Sequence, residues 1–209
     1  MSIAAIIPVK TFSRAKTRLN LSSDKREELC KIMLEEVVGT IHTSKIFDII
    51  LVVSKDENAL KLTKRFGAQE IFDNDESGVN HAISLADNFL ANNGCNTSIV
   101  FPQDIPFMQT EDIENLIRFQ KSPKSVLVVP SRRFDGTNAL LRSPSNLMGT
   151  HYDEDSYKIH LHVGKSLTNN TSLVLLRRIM FDIDNQEDLK LLLTQNEKSH
   201  LEDLAEFRI

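Results

Sequence analysis

The feature that most constrains this chain is the alternation of apolar runs with amphipathic segments along its first 130 residues. Residues 3–9 and 48–54 are nearly continuous apolar runs, as strands buried on both faces require. Between them, apolar side chains recur at helical spacing over 29–41, and Asp24 and Glu27 have the spacing of a capping box. This order predicts an α/β protein in which helices cover both faces of a mostly parallel sheet. Ligands of such folds bind beyond the carboxyl ends of the strands.

The same alternation continues along the rest of the chain. Further strands are predicted at residues 70–72, 97–101, 126–130, 138–142, 172–176 and 179–183. Further helices are predicted at residues 56–66, 79–94, 110–120, 155–168 and 186–193, with Thr110 capping the helix that it begins. The second half is less regular, so we expect mixed strand directions there. No repeat, low-complexity tract or linker marks a boundary, and a single domain is predicted for residues 1–209.

Charge and cysteine content exclude several classes of protein. The 209 residues contain 25 basic and 29 acidic side chains, for a net charge of −4. Proteins that coat nucleic acid or anionic membranes carry a basic excess instead. The two cysteines, Cys30 and Cys95, have no zinc or disulfide-framework spacing. The apolar start of the chain is short and lacks a preceding basic segment, and no apolar run reaches the length of a membrane span, so we expect a cytoplasmic protein.

A cluster of basic residues follows the first predicted strand. Lys10, Arg14, Lys16 and Arg18 fall within nine residues that contain no acid. Four cations beside the carboxyl end of a strand suit a polyphosphate, because they neutralise charge that backbone amides alone would leave unbalanced. The alternative is a solvated basic loop without a ligand. The segment lacks the glycine-rich motif of a Walker loop.

Three aspartates form the second candidate site. Asp104 follows a predicted strand, where its carboxylate can reach a divalent cation that bridges phosphate oxygens or can serve only as a turn residue. If the last predicted strand forms, its two-residue period places Asp182 and Asp184 on one side. Asp184 or Asn185 could instead cap the helix that follows. Together with Asp104, the pair predicts a cradle for two magnesium ions.

A polar turn at residues 131–137 joins two predicted strands. Gly136 allows close approach of the backbone, and Thr137 and Asn138 offer hydrogen-bond donors to an anion. The alternative is an ordinary hairpin turn, since Asp-Gly is a common hairpin signal. The six histidines show no metal-binding spacing, and no nucleophile–histidine arrangement can be assigned from spacing.

Six motifs occur in order along nearly the whole chain. They are residues 7–10 (IPVK), 15–19 (AKTRL), 78–83 (GVNHAI), 102–106 (PQDIP), 136–141 (GTNALL) and 182–185 (DIDN). This set resembles the 2-phospho-L-lactate guanylyltransferase family. The opening segment and GTNALL are specific to that resemblance, whereas the acidic motifs recur in many nucleotidyltransferases.

The resemblance implies a single-domain, three-layer fold like that of nucleotide-diphosphate-sugar transferases, a Rossmann-like arrangement with a mostly parallel mixed sheet. It implies an enzyme that joins GMP from GTP to 2-phospho-L-lactate and releases pyrophosphate, in the biosynthesis of the deazaflavin coenzyme F-420 in archaea. Related bacterial enzymes use phosphoenolpyruvate. The implied cofactor is Mg²⁺, and the implied partners are GTP and a small phospho-acid, without nucleic acid or membrane. A homodimer is left open.

The resemblance also assigns roles to individual residues. The magnesium ligands would be Asp104, Asp182 and Asp184. The nucleotide would be bound by Val9, Lys10, Lys16, Arg18, Asn80 and Asp104, of which Lys10, Lys16 and Asp104 would be catalytic. The phospho-acid would be bound by Thr137, Asn138 and Ser156.

The chain departs from the family before Ser156, where relatives often carry a glycine-containing segment and this sequence reads YDEDSY. Three acids there repel an anionic substrate unless a metal or an arginine intervenes. Two rival functions stay open beside the guanylyltransferase. A glycosyltransferase on a similar fold would use acids and a divalent metal but consume a nucleotide sugar. A non-catalytic regulator would bind the nucleotide without turnover.

Overall fold

The computed structural model describes residues 2–153 and 155–194. Its strands are β1 (Ile3–Val9), β2 (Ile49–Ser54), β3 (Gln69–Phe72), β4 (Thr97–Val100), β5 (Ser125–Pro130), β6 (Thr137–Ser143) and β7 (Thr171–Leu173). Its α-helices are α1 (Ser23–Ser44), α2 (Glu57–Thr63), α3 (Val79–Asn92), α4 (Thr110–Arg118), α5 (Ser156–Leu167) and α6 (Gln186–Thr194). None of these described helices combines the length and the apolarity needed to cross a membrane.

The strands form one sheet in the order β3-β2-β1-β4-β6-β5-β7. Neighbouring strands are parallel except at β6, which is antiparallel to both β4 and β5. The predicted α/β class with a mostly parallel mixed sheet is confirmed, and the reversed strand lies in the second half of the chain as expected. Because β6 runs against β4, its first residues lie at the sheet edge where β1 and β4 end. The rules for open α/β sheets place a ligand at this edge.

Apolar layers cover both faces of the sheet. On one face, Ala5 and Ile7 of β1 belong to the same core cluster as the buried side of α1. On the other face, Ala4 and Ile6 join a second cluster with the buried residues of α3. All four of these β1 side chains are fully buried, and burial of each isoleucine contributes about 1.5–3 kcal/mol. The strand is therefore central to both layers, as its continuous apolar run predicts.

A buried ion pair joins the sheet to α3. Arg142 of β6 is fully buried, and its guanidinium donates two hydrogen bonds to the carboxylate of Asp87, at 2.6 and 2.8 Å. It also donates to Ser98 Oγ at 3.0 Å and to the Met148 carbonyl at 3.2 Å. Good geometry and additional hydrogen bonds are what a buried ion pair needs to offset its desolvation.

The strand predicted at residues 179–183 is wrong. Residues 177–180 form a turn, and residues 181–184 have no regular secondary structure. The amide of Ile183 donates to the carbonyl of Asp104 at 3.0 Å, which attaches this segment to a loop rather than to a strand ladder. The strand predicted at residues 172–176 corresponds to β7, which begins one residue earlier and ends at Leu173, because only Thr171–Leu173 pair with β5.

Two predicted helix starts are also corrected. The capping residue of α1 is Ser22, whose Oγ accepts a hydrogen bond from the Lys25 amide at 3.4 Å, and not Asp24. The capping residue of α4 is Gln109, which forms a reciprocal capping box with Asp112. Thr110, the predicted cap, is the first residue inside this helix.

Candidate active site

A cleft of about 590 Å³ opens at the sheet edge where β1 and β4 end and β6 begins. The predicted site residues on its wall are Val9, Lys10, Lys16, Arg18, Asp104, Thr137 and Asp184. The loop before α3 and Tyr152 also contribute to the wall. The fold thus brings the basic segment after β1 to the same cleft as acids that lie far away in the sequence.

The basic segment is anchored to its surroundings. Phe12 and Leu19 are buried. Glu76, from the loop before α3, accepts two hydrogen bonds from the segment: one from the Thr11 amide at 2.6 Å and one from the Arg14 guanidinium at 2.8 Å. The segment is therefore held in place, although its cations Lys10, Arg14 and Arg18 are exposed to solvent.

Lys16 differs from Lys10 and Arg18, which are exposed, because its side chain is only 8% accessible. Its ammonium donates hydrogen bonds to Asp104 and, at 2.7 Å, to Asp184 Oδ1. Burial opposes the charged form of Lys16, but the two carboxylates outweigh burial and raise its pKa. The lysine therefore stays protonated throughout the physiological pH range.

Asp182 and Asp184 lie in different electrostatic environments. Burial raises the pKa of Asp182 to about 7, and the charges of Asp104 and Asp184 add to this rise. Asn138 Nδ2 opposes it by donating a hydrogen bond to Asp182 Oδ1 at 3.1 Å. Burial acts on Asp184 as well, but the charge and hydrogen bond of Lys16 hold its pKa below the ordinary value. Asp104 and Asp184 thus lie close enough to Asp182 to influence its protonation.

The chemistry of these donors fits a hard divalent cation, because Mg²⁺ is bound in proteins through carboxylate oxygens. Across residues 2–153 and 155–194, however, no group of three acidic, histidine or cysteine side chains is placed to hold a metal ion. The Lys16 ammonium bonds to both Asp104 and Asp184 and supplies positive charge there. The roles of Asp104, Asp182 and Asp184 as magnesium ligands stay a prediction.

Contacts from α6 hold the segment that carries Asp184. Asp188 is fully buried, and its Oδ2 accepts hydrogen bonds from the amides of Asp184 and Asn185 at 3.1 and 3.2 Å. Arg132 and Arg133 donate to the same carboxylate at 2.6 and 2.7 Å. The Asn185 side chain accepts from the Asp188 amide at 3.1 Å and so caps α6. Asp184 is therefore not the cap, and its carboxylate stays in the cleft.

The starts of β6 and α5 meet beside the cleft. Ser156 Oγ donates to Thr137 Oγ1 at 3.0 Å, and both residues are buried. Asn138 Nδ2 donates to the Ile179 carbonyl at 3.0 Å as well as to Asp182. Of the three residues predicted to bind the phospho-acid, Thr137 lines the cleft, whereas Ser156 and Asn138 lie behind its wall.

The segment before α5 is attached to α3. The side-chain oxygen of Asn80, in the first turn of α3, accepts a hydrogen bond from the Tyr152 amide at 2.8 Å. Asn80 itself is not on the cleft wall, but Tyr152 is. Of the three acids in this segment, Asp155 pairs with Lys158 at 3.0 Å, and Glu154 lies outside the described residues.

Several residues of the site were not predicted, among them Glu76, Gln103, Tyr152, His160 and Asp188. Gln103 lies on the cleft wall, and its buried Oε1 has no hydrogen-bond partner within the described part of the chain. Its position next to Asp104 was a signal that could have identified it. Glu76, His160 and Asp188 each also bond to a residue more than 20 positions away, a contact that no local pattern indicates.

Solved structures define the class to which this architecture belongs. A protein from Desulfovibrio desulfuricans G20, described as a nucleotide-diphospho-sugar transferase, matches with a TM-score of 0.72 at 15% identity, over 96% of this chain and 90% of that chain. A likeness at this identity shows the fold alone. The protein therefore has the nucleotide-diphosphate-sugar-transferase-like fold that the motifs imply.

The family follows from sequence comparison. The family described as "Guanylyl transferase CofC like" matches residues 3–209, and the chain belongs to it. The 2-phospho-L-lactate guanylyltransferase of Methanothermobacter thermautotrophicus is 32% identical, over 96% of this chain and 88% of that protein. The 3-phospho-D-glycerate guanylyltransferase of Colwellia psychrerythraea is 30% identical, over 90% of this chain and 89% of that protein. The phosphoenolpyruvate guanylyltransferase of Conexibacter woesei is 28% identical, over 90% of this chain and 86% of that protein. The chain is thus a nucleotidyltransferase, and the predicted family is confirmed.

Proposed function

We propose that this enzyme transfers GMP from GTP to 2-phospho-L-lactate and releases pyrophosphate, as a cytoplasmic step in the biosynthesis of the deazaflavin coenzyme F-420. The observation that carries the proposal is the cleft in which Lys16 meets Asp104 and Asp184 beside the basic segment, in a chain of a guanylyltransferase family. Of the three relatives described above, the one with the highest identity is named for 2-phospho-L-lactate.

The triphosphate of GTP binds along the basic segment. Lys10 and Arg18 contribute exposed cations on the cleft wall, beside the permanently charged Lys16. These charges offset the negative charge of the triphosphate. Because Glu76 already holds the segment through Thr11 and Arg14, less conformational entropy is lost when the nucleotide binds. Val9 lines the same proposed nucleotide site, and Asn80 contributes to it through its hydrogen bond with the Tyr152 amide.

The reaction forms one bond and breaks another at the α-phosphorus of GTP. An oxygen of the acceptor's phosphate attacks this phosphorus, and the bond to the bridging oxygen of pyrophosphate breaks. The second pKa of a phosphate monoester is about 6, so the attacking oxygen is already ionised at neutral pH and needs no general base. Two anions must nevertheless approach each other. Catalysis therefore depends on positioning and on positive charge near the leaving group.

The chain's own residues supply both requirements. Lys16 provides a buried donor that can meet a phosphate oxygen, and Asp188 holds the Asp184 segment in place through two backbone amides. Asp104, Asp182 and Asp184 are the residues that would hold Mg²⁺. When bound, this ion would supply further positive charge to the phosphate oxygens.

The acceptor acid binds where Thr137 lines the cleft wall, with Ser156 hydrogen-bonded to Thr137 and Asn138 hydrogen-bonded to Asp182. The three relatives are named for different acids, each of which combines one phosphate with one carboxylate. A donor at Thr137 suits an oxygen of this shared chemical class.

A pyrophosphate-release assay with four nucleoside triphosphates and the three acids tests the proposal. We expect turnover with GTP and 2-phospho-L-lactate, dependent on Mg²⁺ and reduced about 100-fold or more in Asp104→Asn. The matched control is Asp24→Asn, which changes an exposed acid in the first turn of α1. Preference for another acid would overturn the acceptor, whereas GTP binding without turnover would indicate a regulator. Consumption of a nucleotide sugar without pyrophosphate would indicate a glycosyltransferase.

A further inference from the structure

Three buried side chains form a hydrogen-bond chain behind the cleft wall. Thr137 begins β6 and lines the cleft, and Ser156 and His160 belong to α5. Their exposed fractions are 5%, 2% and 0%. Ser156 Oγ donates to Thr137 Oγ1 at 3.0 Å, and His160 Nδ1 lies 3.0 Å from the same oxygen.

The backbone decides which ring nitrogen of His160 carries the proton. The amide of His151 donates to His160 Nε2 at 2.9 Å. A backbone amide is always a donor, so Nε2 must be unprotonated. The neutral ring then carries its proton on Nδ1 and donates it to Thr137 Oγ1. Burial, reinforced by His151 and Arg142, lowers the pKa of His160 to about 4, which keeps the ring neutral.

We propose that His160 is a positioning residue that fixes the Thr137 hydroxyl as a hydrogen-bond donor into the cleft. The Thr137 oxygen has two lone pairs, and donors from His160 and Ser156 occupy both of them. Its own hydrogen must therefore point away from these two residues, and Thr137 faces the cleft on its remaining side.

The ligand of this donor is an anionic oxygen of the phospho-acid, an assignment that rests on the proposed function. A hydroxyl whose lone pairs are both in use can donate but cannot accept, so it favours a carboxylate or phosphate oxygen over a hydroxyl or amide donor of a ligand. His160 touches no substrate in this arrangement and acts through Thr137 alone.

The tautomer of His160 is measured directly from the ring-nitrogen chemical shifts of the full-length, ¹⁵N-labelled enzyme. Its signals are assigned by their loss in His160→Asn. We expect a neutral ring with its proton on Nδ1 at neutral pH. A proton on Nε2, or a charged ring, would overturn the assignment whatever the enzyme's activity.

Steady-state kinetics test the consequence for the substrate. His160→Leu removes the donor to Thr137 and should raise the KM for 2-phospho-L-lactate about tenfold to hundredfold, as expected for weakening a hydrogen bond to a charged group. The KM for GTP should stay within about twofold of the wild-type value, because a general structural defect would change both constants. His160→Asn keeps an N–H near the position of Nδ1 and should restore most of the KM for the acid.

Thr137→Val supplies the matched comparison, because it removes the hydroxyl and preserves the shape of the side chain. The double variant with His160→Leu should bind the acid no more weakly than Thr137→Val alone, since both changes act on one hydrogen bond. Additive losses, or an unchanged KM for the acid in His160→Leu, would overturn the proposal.

Two further outcomes distinguish failure of this proposal from a folding defect and from failure of the proposed function. If His160→Leu does not fold, His160→Asn decides: a KM for the acid near the wild-type value supports the proposal, and one as high as in Thr137→Val overturns it. If no acid is turned over by the wild type, the proposed function fails together with the identity of the ligand. The tautomer measurement still decides the role of His160.

Discussion

Replacing Asp182 by asparagine tests whether the negative charge of Asp182 in the cleft lowers the free energy of unfolding. The substitution preserves the size of the side chain and the oxygen that accepts from Asn138 at 3.1 Å. It removes the negative charge that lies near Asp104 and Asp184. Burial and these two neighbours raise the pKa of Asp182 from 3.8 to about 7 in the folded protein. The folded state therefore binds a proton at Asp182 more tightly than the unfolded chain does.

The sign and size of the effect follow from this pKa difference. A raised folded-state pKa gives stability that is fully present below the unfolded pKa of 3.8 and is lost as the pH rises through about 7. A difference of about three pKa units corresponds to about 4 kcal/mol at 1.36 kcal/mol per unit. Asp182 is only partly buried, and solvent screening lowers the expected effect to about 2 kcal/mol. Asp182→Asn should thus be about 2 kcal/mol more stable than the wild type near pH 8 and about equally stable near pH 4.

Urea unfolding in the presence of EDTA, near pH 4 and near pH 8, measures this difference without bound metal. The pyrophosphate-release assay should show that the same variant has lost turnover. Asp24→Asn, which changes an exposed acid outside the cleft, should not become more stable than the wild type as the pH rises from 4 to 8. The reasoning is refuted if the advantage of Asp182→Asn does not grow with pH, or if the variant is the less stable protein near pH 8.

Three further predictions concern other parts of the molecule. Lys16→Ala should lower kcat/KM for GTP about 100-fold or more in the pyrophosphate assay, and unchanged kinetics would exclude its phosphate contact. Asp87→Ala leaves the buried charge of Arg142 without its partner and should lower the free energy of unfolding, measured in urea, by about 3–5 kcal/mol. The double variant with Arg142→Met should recover most of this loss. Equal losses in the single and the double variant would contradict this account. Gly164→Ala places a methyl group 2.8 Å from a threonine methyl of β7 and should cost about 1–3 kcal/mol. Gly149→Ala, which meets nothing within 4 Å, should change stability by about 0.5 kcal/mol or less, so similar melting temperatures for the two glycine variants would argue against steric crowding at α5.

The parallel half of the sheet could be predicted because its signals are local. The continuous apolar runs of β1 and β2 predict strands buried on both faces without any knowledge of their neighbours, and both strands are buried in this way. The end of β1 also placed the basic segment at the correct edge of the sheet. Lys16 and Asp104 could therefore be assigned to one site before their contact was known.

The region after β7 could not be predicted in the same way. Residues 181–184 alternate in polarity as a strand does, but their position depends on the Asp104 loop and on α6. Contacts across long sequence separations have no local signature either. Thr11 and Glu76 are 65 positions apart, and Thr137 and His160 are 23 apart. Residues that act through such contacts can be assigned to the site only from the folded structure.

The reversed direction of β6 brings two different parts of the chain together at the cleft. The strands from β3 to β4 carry the basic segment and Asp104, whereas the β5–β6 hairpin and α5 carry Thr137, Ser156 and His160. In the sheet these two parts meet through the pairing of β4 with β6 over three residue pairs. Because Asn138 of β6 also donates to Asp182, substitutions in the hairpin can affect the acidic residues of the cleft as well as the proposed acid pocket.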